Sequence, residues 1–168
     1  MLQQLVGESI RGVVYHDCHE DNLIPIVAGI LKDNPKRSHD MICHGIDLVL
    51  NSGRTFSFFW EQFGSEFELD VLPESVFPAI LKNSSCRYEI DGAHDPEWCT
   101  RIGRTIRSIR LSADQHGTPC VCEIGFENGP SVWICTIRES VPFESSDDVV
   151  VLFDPEEAKR IGISIDAD

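Results

Sequence analysis

Residues 121–136 read VCEIGFENGPSVWICT. Two apolar, β-prone runs, Val121 to Phe126 and Ser131 to Thr136, are separated by Glu127-Asn128-Gly129. Gly accepts positive φ at no steric cost, so a short polar loop holding one between such runs favours a hairpin. The same signal stands earlier in the chain, as Ile46 to Leu50, then Asn51-Ser52-Gly53, then Thr55 to Trp60.

Working outward, both hairpins have similar flanks. Upstream, the segment from Gly7 to Tyr15 resembles the one from Gly103 to Leu111. Each begins with Gly, carries Ile-Arg at the fourth and fifth places (Ile10-Arg11 and Ile106-Arg107) and continues as a β-prone run. Downstream, each hairpin is followed by one more strand that runs into Pro-Glu, Phe67 to Glu74 and Val149 to Glu156. The offsets between units are 96 at the first Gly, 76 at the hairpin Gly and 82 at the Pro. A longer connection between Tyr15 and Gly45 explains the mismatch. Within it Asn22 can cap a helix whose apolar positions Leu23, Ile26, Val27, Ile30 and Leu31 keep helical spacing, and Asn34-Pro35 ends it.

Other helix signals are short. Pro73 to Lys82 is weakened by Pro78. Asp95-Pro96-Glu97-Trp98 starts a helix that ends near Gly103, and Asp154-Pro155-Glu156-Glu157 starts one that ends at Gly162. Asp33 to Asp40 reads as a polar loop, and Ser84 to Pro96 as a polar seam. The expected architecture is α+β, a mostly antiparallel sheet of about seven or eight strands with three or four short helices, in two similar β-rich halves. The expected organisation is a single domain over 1–168, with sub-units at 1–90 and 91–168.

The charge has a location. There are 28 Asp+Glu against 14 Lys+Arg in 168 residues, a formal net charge of −14. The stretch from Ala113 onward holds 12 acids and 3 bases (Arg138, Lys159, Arg160). Such a balance repels nucleic acid and anionic membranes and attracts a basic partner. The N-terminus lacks the basic-then-apolar pattern of a signal peptide, and no apolar run approaches a membrane span. The cysteines number seven, an odd count without the spacing of a secreted disulfide framework. Cys120, Cys122 and Cys135 lie in apolar runs and read as small buried hydrophobes. The expected setting is reducing and cytoplasmic.

His16-Asp17-Cys18-His19-Glu20 and Cys43-His44 hold metal-ligand types, and a site near His16, His19, Cys43 and His44 is the alternative to a protein-binding role. The spacing matches no zinc motif, so the plainer reading is a polar strand end with a half-buried thiol, and no cofactor is expected. Asp17, Glu20 and Asp21 give Cys18 the wrong field for a thiolate nucleophile. Glu66, Glu68 and Asp70 alternate along one strand and read as a solvated face. Phosphate-cradling glycine loops and the Gly-x-Ser-x-Gly elbow are missing. Arg101, Arg104, Arg107 and Arg110 form the one basic stripe, suited to pairing with acids such as Asp95 and Glu97. Phe56, Phe58, Phe59, Trp60 and Phe63 read as core.

Size, acidity, a β-rich pattern and the lack of catalytic signatures are similar to those of bacterial immunity proteins, as a class and without a shared motif. That resemblance implies a cytoplasmic, non-enzymatic inhibitor that blocks a basic toxin such as a nuclease by electrostatic steering and a few desolvated anchors. The expected partner surface is Glu144, Asp147, Asp148, Asp154, Glu156 and Glu157, flanked by Phe143 or Trp133.

Overall fold

The computed structural model describes residues 2–17, 39–63, 66–80, 86–90, 94–114, 116–137 and 145–163. Among the described residues, ten strands form two five-stranded antiparallel sheets. They are β1 (Ile10–Asp17), β2 (His39–Ile42), β3 (Gly45–Leu50), β4 (Thr55–Phe63), β5 (Glu66–Leu72), β6 (Cys86–Ile90), β7 (Ile106–Ala113), β8 (Pro119–Phe126), β9 (Gly129–Ile137) and β10 (Ser145–Leu152). The first sheet has the order β5-β4-β3-β1-β6 and the second β2-β10-β9-β8-β7. Two short α-helices, α1 (Phe77–Ile80) and α2 (Pro155–Arg160), occur among the described residues.

The expected strand and helix counts are therefore corrected. The added strands are β2, which begins at the end of the segment read as a polar loop (His39 and Asp40), and β6, which falls inside the segment read as a polar seam. At four and five residues they are too short and polar to announce themselves, and sheet-edge pairing makes them strands. The helix expected at Asp95 is a single 3-10 turn, Trp98–Thr100, although Asp95 Oδ1 does accept from the N–H groups of Glu97 and Trp98 at 2.9 Å. Of the segment Pro73 to Lys82, the described part, up to Ile80, holds the one turn of α1. The last helix forms as expected, with Asp154 accepting from Glu156 N–H and Gly162 leaving at φ 87°. The helix expected after Asn22 lies outside the described residues.

The two sheets repeat one order: β1-β3-β4-β5 in the first and β7-β8-β9-β10 in the second. The likeness reaches individual bonds. Gly7 and Gly103 take φ values of 86° and 83°. Gly7 N–H donates to Ile106 O at 2.9 Å, and Gly103 N–H donates to Ile10 O at 2.7 Å. Asn51 N–H reaches Ser9 O and Glu127 N–H reaches Thr105 O, both at 2.9 Å. Each leading strand is bulged at its start, between Ile10 and Gly12 and between Ile106 and Ser108. In β1 that extra residue lets Ile10, Val13 and Tyr15 all enter the core while Arg11 stays outside.

One buried apolar cluster draws on both sheets. Ile10, Tyr15, Leu48, Phe56 and Phe58 meet Ile106, Cys122, Ile124, Ile134 and Val151, with Trp98. A hydrogen-bonded string crosses this cluster: Trp98 Nε1 donates to the Tyr15 hydroxyl at 2.7 Å, which donates to Asp40 Oδ2 at 2.6 Å. It ties β1 in one sheet to β2 in the other and satisfies three polar groups away from water. Each sheet is also covered on part of its outer face. Helix α2 sets Ala158 and Ile161 on Trp133, Cys135, Val150 and Leu152, and Phe77 of α1 covers Phe59.

Candidate functional site

The acids expected near the C-terminus separate into three groups. Glu144 and Phe143 lie outside the described residues. Asp147 and Asp148 belong to β10; the side chain of Asp147 is not described, and Asp148 is half-buried. Asp154 is exposed but its carboxylate caps α2. Glu156 pairs with Lys159, and Glu157 with Arg160, both at 2.7 Å one helical turn away. Both glutamates are thus partly neutralised by their own helix. Trp133 does not flank this surface as expected. It is 2% exposed under α2, because β9 directs it at the helix rather than at solvent.

A less compensated acidic face occurs on the β4–β5 hairpin. Glu61 lies directly opposite Glu68, and Phe59 opposite Asp70. Strand alternation puts Glu61, Glu68 and Asp70 on one face, the outer one, with β5 at the sheet edge. Asp70 Oδ1 accepts from the N–H of Val71 at 2.7 Å. Among the described residues, Glu61, Glu68 and Asp70 form no ion pair. Like charges directly opposed on a strand pair are unfavourable. The alternation of the β5 acids was legible in the sequence. Glu61 was not, because its partner depends on the register.

His16, Cys43 and His44 do come together, while His19 lies outside the described residues. His16 is buried on the outer face of β1. Its Nε2 lies 3.1 Å from Asp47 Oδ2, and its ring stacks on Phe77 with centroids 3.9 Å apart. Asp47 also accepts from Ser75 Oγ at 2.6 Å and from Ser57 Oγ. A nucleophile-and-base arrangement needs serine bonded to histidine. Here both hydroxyls go to the aspartate, so the cluster fastens the segment leading into α1 onto the sheet. The backbone N–H of His44 donates to His16 O at 3.1 Å. Burial holds the His44 imidazole below its ordinary pKa; the carboxylate of Asp17 opposes this and His16 adds to it.

Cys43 is disulfide-bonded. That overturns the reading of a half-buried thiol there and removes the sulfur as a zinc ligand. Among the described residues no group of three or more His, Cys, Asp or Glu side chains is placed to hold a metal ion.

The arginine stripe divides as well. Arg101 is 1% exposed. Its guanidinium donates to the carbonyls of Glu97 (2.6 Å), Ser131 (3.0 Å) and Phe153 (3.1 Å), and reaches the Glu97 carboxylate at 3.3 Å. The expected partner Glu97 is therefore found, whereas Asp95 serves as a cap. Arg110 pairs with Glu123 at 2.6 Å on the surface. Elsewhere, a groove of about 470 Å³ runs over the outer face of β6, β1 and β3, with Val14 and Val49 in its lining and Arg11, Arg87 and Glu89 around it.

No helix among the described residues is long and apolar enough to cross a membrane. No family model, curated protein or solved structure matches the chain.

Proposed function

We propose that the protein is an acidic binding module that captures a basic protein partner, in the manner of a bacterial immunity protein neutralising a basic toxin such as a nuclease. The supporting charge is a net −14. The observation that carries the reading is the opposed pair Glu61 and Glu68, flanked by Asp70 and without a cation among the described residues. A fold gains nothing by facing two carboxylates across a strand pair, whereas a surface that receives Lys or Arg side chains does. At the C-terminal helix, Asp154, Glu156 and Glu157 would add to this charge, weakened by Lys159 and Arg160. In this reading the protein works by occlusion, without chemistry of its own.

The test compares the full chain with the Glu61→Lys/Glu68→Lys variant as bait in the source cytoplasm over a salt series. The expected result is a basic protein that is retained by the native chain, released as salt rises and not retained by the variant. Equal capture by the variant removes the β4–β5 face, and recovery of only acidic or salt-insensitive partners removes the reading.

A small-ligand role is the second reading, favoured by the groove beside Arg11 and Arg87. Arg11 forms no ion pair among the described residues, and Arg87 pairs with Glu89 at 2.8 Å. A carboxylate or phosphate on a small apolar body would fit. A thermal-shift screen of such anions decides it, since an anionic chain gives little unspecific background; no shift with any of them removes it.

A further inference from the structure

We propose that helix α2 is a lid: it closes on Trp133 with a hydrogen bond left unmade, and it lifts on its own, while the two sheets stay packed, to uncover the apolar outer face of the second sheet.

The weakness of the closed state lies in one atom. Trp133 is 2% exposed, and its Nε1–H finds no acceptor among the described residues. The other two indoles are satisfied: Trp98 Nε1 donates to the Tyr15 hydroxyl and Trp60 Nε1 to Cys43 O, both at 2.7 Å. A buried donor without an acceptor loses the bond that water would give it. That loss favours any state in which water reaches Trp133 by roughly 5- to 100-fold.

The element that keeps water out is α2. On β9, Trp133 and Cys135 share the outer face and lie opposite Leu152 and Val150 of β10. Ala158 and Ile161 close over these four, with Ile163 partly buried against them. A helix of six residues does not persist by itself, so α2 depends on this small apolar contact. Its ion pairs Glu156–Lys159 and Glu157–Arg160 lie within the helix and travel with it.

The rest of the fold does not need the lid. The apolar cluster shared by the two sheets contains no residue of α2 among those described. The chain is pinned just before the helix, where Arg101 donates to the Phe153 carbonyl at 3.1 Å and Phe153 itself enters that cluster. Asp154, between the pinned residue and Pro155, is the hinge. Lifting α2 joins Trp133, Cys135, Val150 and Leu152 to Met41 of edge strand β2, which lies opposite Val150 and is already 47% exposed. This motion is independent of whether the chain captures a basic partner.

The test uses thiols the chain already carries. Cys135 is fully buried beneath α2, Cys122 is fully buried in the cluster between the sheets, and Cys99 is exposed. The full chain is labelled with iodoacetamide over a range of low urea concentrations, and each site is read by fragment-ion mass spectrometry. Cys99 is expected to react first, and Cys135 about tenfold or more faster than Cys122. The Cys135 rate should be nearly flat in urea while the Cys122 rate climbs steeply, since lifting a lid exposes little surface and unfolding exposes much. Ile161→Ala should speed Cys135 labelling by roughly tenfold or more. Trp133→Phe removes the donor and keeps a ring, and should slow it roughly fivefold or more. If either variant does not fold, the two wild-type urea slopes decide alone. Equal rates and slopes at Cys135 and Cys122 overturn the proposal, because only global unfolding then reaches beneath the helix. An unchanged Cys135 rate in Ile161→Ala, or no slowing in Trp133→Phe, overturns it as well.

Discussion

Ser9 and Thr105 face each other in an isolated antiparallel bridge, with their hydroxyl oxygens 3.5 Å apart. The hydrogen bonds around that bridge come in matched pairs. Gly7 N–H crosses to Ile106 O and Gly103 N–H crosses back to Ile10 O; Glu8 N–H reaches Leu5 O as Arg104 N–H reaches Arg101 O. The two sheets are joined at this point by one motif used twice.

Equal use predicts equal energetics. Gly7 and Gly103 both have positive φ, and a Cβ at either would meet no atom within 4 Å. Gly7→Ala and Gly103→Ala are therefore each expected to cost about 1–2 kcal/mol, from backbone strain alone. Gly12→Ala, with equal space and no positive φ, leaves stability unchanged or raises it by about 0.5 kcal/mol. Urea unfolding measures all three. A large cost at one of the two strained glycines and none at the other would restrict the likeness to topology.

Much of this was legible. Gly-x-x-Ile-Arg, the two Gly-bearing hairpin loops and the two Pro-Glu endings mark features that recur in space, because turn residues and strand periodicity act locally. The edge strands β2 and β6 were not legible, since His39–Ile42 and Cys86–Ile90 become strands only by pairing. Nor was the disulfide-bonded state of Cys43. Arg101 read as part of a surface stripe, because nothing in Thr100-Arg101-Ile102 shows that three carbonyls and the Phe153 ring converge there, with the guanidinium carbon 5.0 Å from the ring centre.

Gly45 predicts a different kind of loss. Its φ is 148°, and an added Cβ would collide with Phe58 O and lie 2.9 Å from Phe77 Cζ. The bare position lets Phe77 lie against the sheet and stack on His16. Gly45→Ala combines backbone strain with overpacking and is expected to cost about 3 kcal/mol. Phe77→Ala relieves only the ring contact, so the double variant recovers part of the loss and not all of it. Full additivity in denaturant unfolding would show that the ring does not depend on this glycine.

Arg101 is held by burial and geometry. Desolvation lowers its pKa from the usual arginine value, with the Glu97 carboxylate opposing. Arg101→Lys keeps a charge but cannot reach three carbonyls in one plane, and is expected to cost about 3 kcal/mol. Arg110→Ala, which removes a surface pair, costs under about 1 kcal/mol. The first loss is insensitive to added salt and the second is not. A salt-dependent loss at Arg101 would place it at the surface.

Alkaline stability follows from the buried thiols. Cys122 rises from 9.0 to about 12, chiefly by burial. A folded-state pKa above the unfolded one means that the native chain keeps a proton that the unfolded chain releases. Stability from this group is complete below pH 9 and is lost as the pH climbs from 9 towards 12. Cys122→Val removes the titration while keeping an apolar side chain of similar size, so its unfolding free energy should decline less steeply above pH 9. Parallel slopes for the two proteins would assign the alkaline limb to other groups.

The β4–β5 face sets stability against binding. Glu61 and Glu68 repel across the strand pair, so replacing one by a cation should raise stability while removing part of what a basic partner recognises. Glu61→Lys is expected to add roughly 0.5–1 kcal/mol in low salt, with most of the gain gone at molar salt because the pair is near the surface. The same substitution is expected to slow association with the basic partner more than it speeds dissociation, since a charge at the rim acts mainly through steering. The two readouts separate the possibilities. A stability gain without a binding change would make the opposed carboxylates an incidental feature of the hairpin. No stability gain at all would mean that the two side chains do not meet, and the β4–β5 register would need revision.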